Sequence, residues 1–309
     1  MYDSVNTTLS SDEVKGVQFL EYVPQFLSNC SKTTSENYGC SIIGYIENVK
    51  VKVTENDLRT YGSLSKFFVG NNQYTMTCTD SKLAVEKLCD TLHLPMDKAS
   101  ATRIDFTDNL NMSQTPPTYY PFLGEKTYSK RNQQDNGLYY NGAKQTLFFY
   151  GKETEQKRKR IKVIPQLINS CSLRYEYRLL RQINKQLNMY KVDLGSFHKP
   201  NFYNLLLEKW KEEYFKIKKI NKLMSTLILT GSVKKDMDLM FAMMMKDNNS
   251  YLHLLDIVTQ SQKGGLITKE QSKRYKDKFR GLNNIGDFDT SLIDELDNKV
   301  LETVEKFKE

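Results

Sequence analysis

Histidine is scarce in this chain of 309 residues, and its three copies, His93, His198 and His253, lie far apart in sequence. No two of them have the close spacing with which imidazoles clasp a metal. The five cysteines, Cys30, Cys40, Cys78, Cys89 and Cys171, are odd in number and form no Cys-x-x-Cys pair. That argues against a disulfide framework or a cysteine zinc site, and for a reducing compartment. No run approaches the roughly 20 apolar residues that a membrane span needs. Met1-Tyr2-Asp3-Ser4 lacks both the basic and the apolar region of a secretion signal. A cytoplasmic location without a membrane partner is therefore expected. No internal repeat is visible.

What is present is a core and a charge. The mean hydropathy is low, -0.59, yet 39% of residues are hydrophobic and 11% aromatic, enough for a sizeable interior. The net charge of +8 is unevenly placed: residues 151–199 hold 12 Lys and Arg against 4 Asp and Glu, so the rest of the chain sums to zero. A local positive field of this kind suits a polyanion. A solvated basic loop at Lys157-Arg158-Lys159-Arg160 accounts for part of the same signal.

Patterning divides the chain near residue 199. Residues 1–180 read mainly as strands, with alternation over Gly39–Val53, Tyr74–Thr79, Thr102–Thr107, Leu138–Tyr140, Thr146–Tyr150 and Ser172–Leu179. A helix carrying Leu83, Val85, Leu88, Cys89 and Leu92 interrupts them and should stop at Pro95. A Pro/Tyr/Gly/Asn-rich loop runs to about Gly137, and Asn141-Gly142 signals a hairpin. Residues 199–309 turn helical. Phe202, Leu206, Trp210, Tyr214 and Ile217 share a face, as do Ile293, Leu296, Val300, Val304 and Phe307 after a Ser291 cap. Thr268 with Gln271 forms a capping box, Gly281 fits a helix end, and Met243-Met244-Met245 fits a core. The expected class is α+β, a central, mainly antiparallel sheet followed by a C-terminal helical domain.

Three of the strands carry ionisable residues at alternate positions, hence on one face of each. They give Arg103 and Asp105; then Phe148, Tyr150 and Lys152; then Arg174, Glu176 and Arg178. If the strands are neighbours, one face gathers Asp, Glu, Tyr, Lys and Arg, a costly surface unless it binds something. Cross-strand salt bridges on a solvated face are the competing account.

Four segments in this order are similar to the filamentous-phage gene II/gene X replication-initiation endonucleases and their phage and plasmid relatives. They are Ser65-Lys66-Phe67-Phe68-Val69-Gly70-Asn71-Asn72, Arg103-Ile104-Asp105-Phe106-Thr107, Thr146-Leu147-Phe148-Phe149-Tyr150-Gly151-Lys152-Glu153 and Leu173-Arg174-Tyr175-Glu176-Tyr177-Arg178-Leu179. Met1-Tyr2-Asp3 and the helix at Trp210 also fit, so the likeness spans residues 1 to about 220. It implies a DNA nicking-joining endonuclease for rolling-circle replication, in a nuclease domain over 1–198 with a helical domain of unassigned role over 199–309. The implied nucleophile is Tyr150, helped by Lys152, which cuts one strand of single- or double-stranded origin DNA and keeps its 5′ end as a phosphotyrosine. Such a reaction conserves the ester and lets a 3′-OH reseal the strand.

Many rolling-circle initiators hold metal with a His-hydrophobic-His motif, which this chain lacks. Mg²⁺ or Mn²⁺ on Asp105 and Glu176 is the expected substitute, with Asp108 and Asn71 open as further ligands. Lys157–Lys162 should follow phosphates, with Arg103, Arg174, Arg178 and Arg181 nearer the cut, and Tyr119 and Tyr120 either stack on bases or pack the loop. Host helicase and polymerase would be partners. Tyr128, in Tyr128-Ser129-Lys130, and Tyr190 are rival nucleophiles. A metal-dependent hydrolytic nuclease and a non-catalytic replication-control protein are the rival functions.

Overall fold

A computed structural model describes residues 1–35, 39–161, 170–219, 232–247, 251–283 and 291–309. The class is α+β. The chain forms two compact units: Met1–Tyr120 with Glu125–Lys218 and Glu295–Glu309, and Pro121–Gly124 with Lys219–Asp294. The break in patterning at residue 199 falls inside the first unit. The helix Pro200–Phe215 and the end of the chain both belong to that unit.

The first unit is built on a sheet whose strands are β1 (Tyr2–Ser10), β2 (Ser28–Ser35), β3 (Gly39–Ile46), β4 (Val49–Val53), β5 (Asp57–Ser63), β6 (Ser100–Asn111), β8 (Lys130–Gln134), β9 (Gly137–Asn141), β10 (Gln145–Gly151) and β11 (Ser172–Leu179), with β7 (Leu123–Lys126) outside it. The ten strands lie in the order β2-β3-β4-β5-β1-β6-β11-β10-β9-β8. Every neighbouring pair is antiparallel. β6, β11 and β10 are adjacent, as the shared polar face requires.

Alternation sends the other face of these strands into the core. Ile104, Phe106, Leu147, Phe149, Leu173, Tyr175, Tyr177 and Leu179 are buried there. The helix Pro200–Phe215 belongs to the same core through Trp210, whose indole donates to the Tyr175 carbonyl at 3.4 Å while the Tyr175 hydroxyl donates to the Trp210 carbonyl at 3.0 Å. The terminal helix Ser291–Phe307 buries Leu296, Val300, Val304 and Phe307, the stripe expected from its spacing; Ile293 is half-buried.

Several local expectations need correction. Tyr74–Thr77 is irregular and not a strand, because Thr77 caps the helix Cys78–Leu92 in a capping box with Asp80. That helix does close before Pro95 as expected, with His93 as its left-handed cap. The loop expected before Gly137 is largely built: β6 continues to Asn111, and β7 and β8 follow. Tyr119 and Tyr120 within it are buried, so they pack and offer no stacking surface. Lys152 opens the helix Lys152–Arg158 where a strand was expected to continue.

In the second unit, the helices Val233–Asp247, Tyr251–Lys263 and Lys269–Asn283 meet at a core of Ala242, Met245 and Leu282. Met245 fills that core as expected, whereas the side chains of Met243 and Met244 lie outside the described residues. The Thr268 and Gln271 capping box is formed, by bonds of 2.8 and 3.2 Å. Gly281 sits inside the helix Lys269–Asn283 and does not end it.

Candidate nucleic-acid cleavage site

Register assembles the polar face. Across β11 and β6, Arg178 lies opposite Asp105, Glu176 opposite Thr107 and Arg174 opposite Asn109; across β10 and β11, Tyr150 lies opposite Arg174 and Phe148 opposite Glu176. β1 adds Asp3. Ser63 links the end of β5 to this floor: its side chain accepts from the Lys66 amide at 3.2 Å, capping the helix Leu64–Val69, and donates to Asp3 at 2.6 Å. Gly70, at φ +82°, ends that helix in a conformation that L side chains rarely adopt. Asn72 follows two residues later. It accepts from Lys152 at 3.2 Å through its side chain and from Arg174 at 3.1 Å through its carbonyl.

Three carboxylates and three guanidinium groups interlock here. Arg174, almost fully buried, contacts Asp3 at 2.7 Å and Glu176 at 3.0 Å. Arg178 contacts Glu176 at 2.5 Å and lies 3.8 Å from Asp105, which Arg103 grips through two bonds of 2.8 and 2.6 Å. The Tyr150 hydroxyl donates to Glu176 at 2.6 Å. Buried charges are tolerable only when paired and hydrogen-bonded in this way.

The titration behaviour follows from burial and partners. Burial pushes the Tyr150 phenol well above its usual range, and the Glu176 charge pushes it further. Burial also pushes Asp105 up to about 6 against the pull of Arg103. For Glu176 and Asp3, burial is outweighed by the arginines, which hold Glu176 below the ordinary value and Asp3 at about 2. Lys152 is lowered to about 8, by burial first and Arg174 second.

This network floors a cavity of about 460 Å³, whose lining includes Asp105, Tyr139, Tyr150, Arg158, Lys159 and Glu176. Along one wall the rings of Tyr139, Phe148 and Tyr150 stack in series, with centroids 3.9 and 4.4 Å apart, and Arg178 lies 5.1 Å over Phe148. The cavity can hold a charged, partly aromatic ligand, as a nucleotide is. The family described as the N-terminal part of the phage replication-associated protein encoded by gene II matches residues 1–199. The chain belongs to this phage replication family. A comparison with curated proteins gives no match. A replication-associated family works on DNA, so the cavity on its matched segment is the candidate DNA site.

Within this family member, the structure gathers Arg103, Asp105, Tyr150, Arg158, Lys159, Glu176 and Arg178 around one cavity, with Lys152 and Arg174 buried beside it. Lys157, Arg160 and Arg181 are exposed and lie outside its lining; Lys162 is outside the described residues. Two of the lysines are also paired, Lys157 with Glu153 at 2.6 Å and Lys159 with Glu155. Tyr128 and Tyr190 are almost fully exposed and absent from the lining. Asp108 points to the other face, accepting from Thr75 at 2.6 Å and Thr303 at 3.0 Å, and Asn71 accepts from the Gln73 amide.

Sequence reasoning gave no role to Asp3, Ser63, Asn72, Asn109 or Tyr139. Asp3 and Asn72 did lie in quoted segments, but no local periodicity could tie them to Arg174. Among the described residues no group of three or more His, Cys, Asp or Glu is arranged to hold a metal, and no helix is long and apolar enough to cross a membrane.

Proposed function

We propose that this chain nicks and rejoins one DNA strand at a phage or plasmid origin, keeping the cut 5′ end on Tyr150. The observation that carries the reading is the 2.6 Å bond from the Tyr150 hydroxyl to Glu176 inside a cavity of the replication-family segment. Glu176 would take the phenolic proton as the tyrosine oxygen bonds to phosphorus, a role that the hydrogen bond between them supports. The P–O3′ bond breaks, and the leaving 3′ oxygen takes a proton from water to become the 3′-OH. Arg103 and Arg178, which line the cavity, would stabilise charge on the phosphate, an effect worth most where water is excluded; Arg174, buried behind them, would hold Glu176 in place. A free 3′-OH is the end a host polymerase extends, with a host helicase opening the duplex ahead in the cytoplasm.

Asp105 and Glu176 fit Mg²⁺ or Mn²⁺ in one respect. Mg²⁺ is commonly held by one or two carboxylates, with water and substrate phosphate completing its shell. Both carboxylates line the cavity with hard oxygen donors. The ion would polarise the phosphate when bound; because Arg103 holds both oxygens of Asp105 and Arg178 one of Glu176, both arginines would turn toward the DNA to free them.

The test is a denaturing gel after incubation with single-stranded origin DNA and Mg²⁺. A covalent protein–DNA band that Tyr150→Phe abolishes supports the reading. Cutting without a band supports water as the attacking group, a reading favoured by the burial of Tyr150 at 5% exposure. Origin binding without any cutting would assign the chain a purely regulatory role.

A further inference from the structure

The residues named for that reaction all lie in the first unit. In the second unit, the helix Lys269–Asn283 carries six basic residues against Glu270 and Asp277. In the helices Val233–Asp247 and Tyr251–Lys263 the two signs balance. The excess positive charge of the three helices therefore lies on one of them.

Four of those basic residues, Lys269, Lys273, Lys276 and Arg280, recur at intervals of four, three and four. At about 100° per residue they fall within roughly 60° of one another and span about 16 Å of helix axis. Lys269, Lys273 and Arg280 are exposed and Lys276 is half-buried. Lys269, Lys273 and Lys276 make no ion pair among the described residues, and Arg280 only a long one of 3.5 Å to the exposed Asp277. Lys278, off this stripe, is paired with Asp238 at 2.7 Å. Ser272 and Leu282 are buried on another side and Phe279 packs on the unit's core, so the stripe is held outward.

We infer that this stripe binds the phosphate backbone of duplex DNA, a contact separate from the cleavage cavity. It contains no apolar residue, whereas protein interfaces have an apolar centre. A membrane-surface helix needs its apolar face free for lipid, and here that face packs inside the unit. A helix of this size fits the major groove, about 12 Å wide, with its basic side reaching the flanking phosphates. The inference rests on DNA as the partner of this family and not on Tyr150.

The test compares the full chain with the variant Lys269→Gln/Lys273→Gln/Lys276→Gln/Arg280→Gln. Duplex affinity, measured against salt, should fall, and the log–log slope should flatten by about 3 to 4, at roughly 0.9 per lost contact. Adduct formation on a short single-stranded origin oligonucleotide should not change, which separates failure here from failure of the nicking reading. Lys234→Gln/Lys235→Gln removes exposed charge elsewhere in the unit and should leave the slope within one of wild type. An unchanged slope in the stripe variant, or equal flattening per charge in the control, overturns the inference. Amine labelling of the unmodified protein gives a readout that no substitution can confound. Duplex DNA should protect Lys269, Lys273 and Lys276, and full labelling in its presence also overturns the inference.

Discussion

Asp3 and Arg174 stand 171 positions apart and meet at 2.7 Å, both buried. Removing one partner of a buried pair costs about 3–5 kcal/mol, and the lower figure applies to Asp3 because Glu176 still pairs with Arg174 at 3.0 Å. Asp3→Asn should therefore lower thermal stability sharply at neutral pH. The pH dependence has a definite sign. Asp3 is held at about 2, below its ordinary 3.8, so its contribution is complete above about pH 4 and disappears as pH falls through 2. Asp105 has the opposite sign, because burial raises it to about 6. Its contribution is present below about pH 4 and disappears as pH rises through 6. Unfolding curves should show Asp105→Asn flattening the segment from pH 4 to 6, and Asp3→Asn the segment below 4. If the two variants flatten the same segment, these assignments are wrong. Alternation alone revealed Arg103 with Asp105 and Arg174 with Glu176 and Arg178, because a strand displays its period in sequence. Asp3 and Asn72 escaped because only the path of β1 and the irregular segment after the helix Leu64–Val69 carry them to the site.

At the scale of elements, the helix Lys152–Arg158 changes what the basic segment can do. The helix buries Lys152 against Asn72 and Glu155, keeps its ammonium 6.0 Å over the Tyr150 ring, and turns Arg158 and Lys159 to the cavity. Gly151 before it carries no side-chain cap, so composition around the turn gave little warning. Arg158→Gln should weaken binding on origin and unrelated DNA alike and flatten the salt dependence by about 0.7 to 0.9, since phosphate contacts carry no base information. Lys157→Gln should do much less, because Lys157 lies outside the cavity lining and pairs with Glu153. Fluorescence anisotropy titrations at several salt concentrations would decide. Equal slopes for both variants would mean that the segment acts only as a diffuse charge.

At the scale of the whole molecule, the family match ends at residue 199, but the first compact unit does not. It includes the helix Pro200–Phe215, with buried Trp210, and residues 295–309. Helical spacing foretold the apolar stripe of the last helix; which core it joins could not be foretold, because 76 residues of the second unit intervene. The terminal helix contributes four buried apolar side chains, Leu296, Val300, Val304 and Phe307. Thr303 adds a bond to Asp108 at 3.0 Å, and Asp297 accepts from Tyr214 at 2.5 Å. At about 1.5–3 kcal/mol for each apolar side chain, their burial contributes at most about 6–12 kcal/mol. That is comparable with the whole stability of a typical domain, about 5–15 kcal/mol. A chain shortened to end at residue 290 should therefore lose cooperative unfolding by calorimetry, and with it DNA cleavage, though no cavity residue is removed. The fragment 1–199 should fare worse, because the sheet also loses the cover of Trp210 and Tyr214. Val300→Asp in the full chain, which places one charge in the same core, should lower the melting temperature without changing the cavity. A fragment 1–199 that melts cooperatively near the full-length temperature would show that these helices are accessory to the fold.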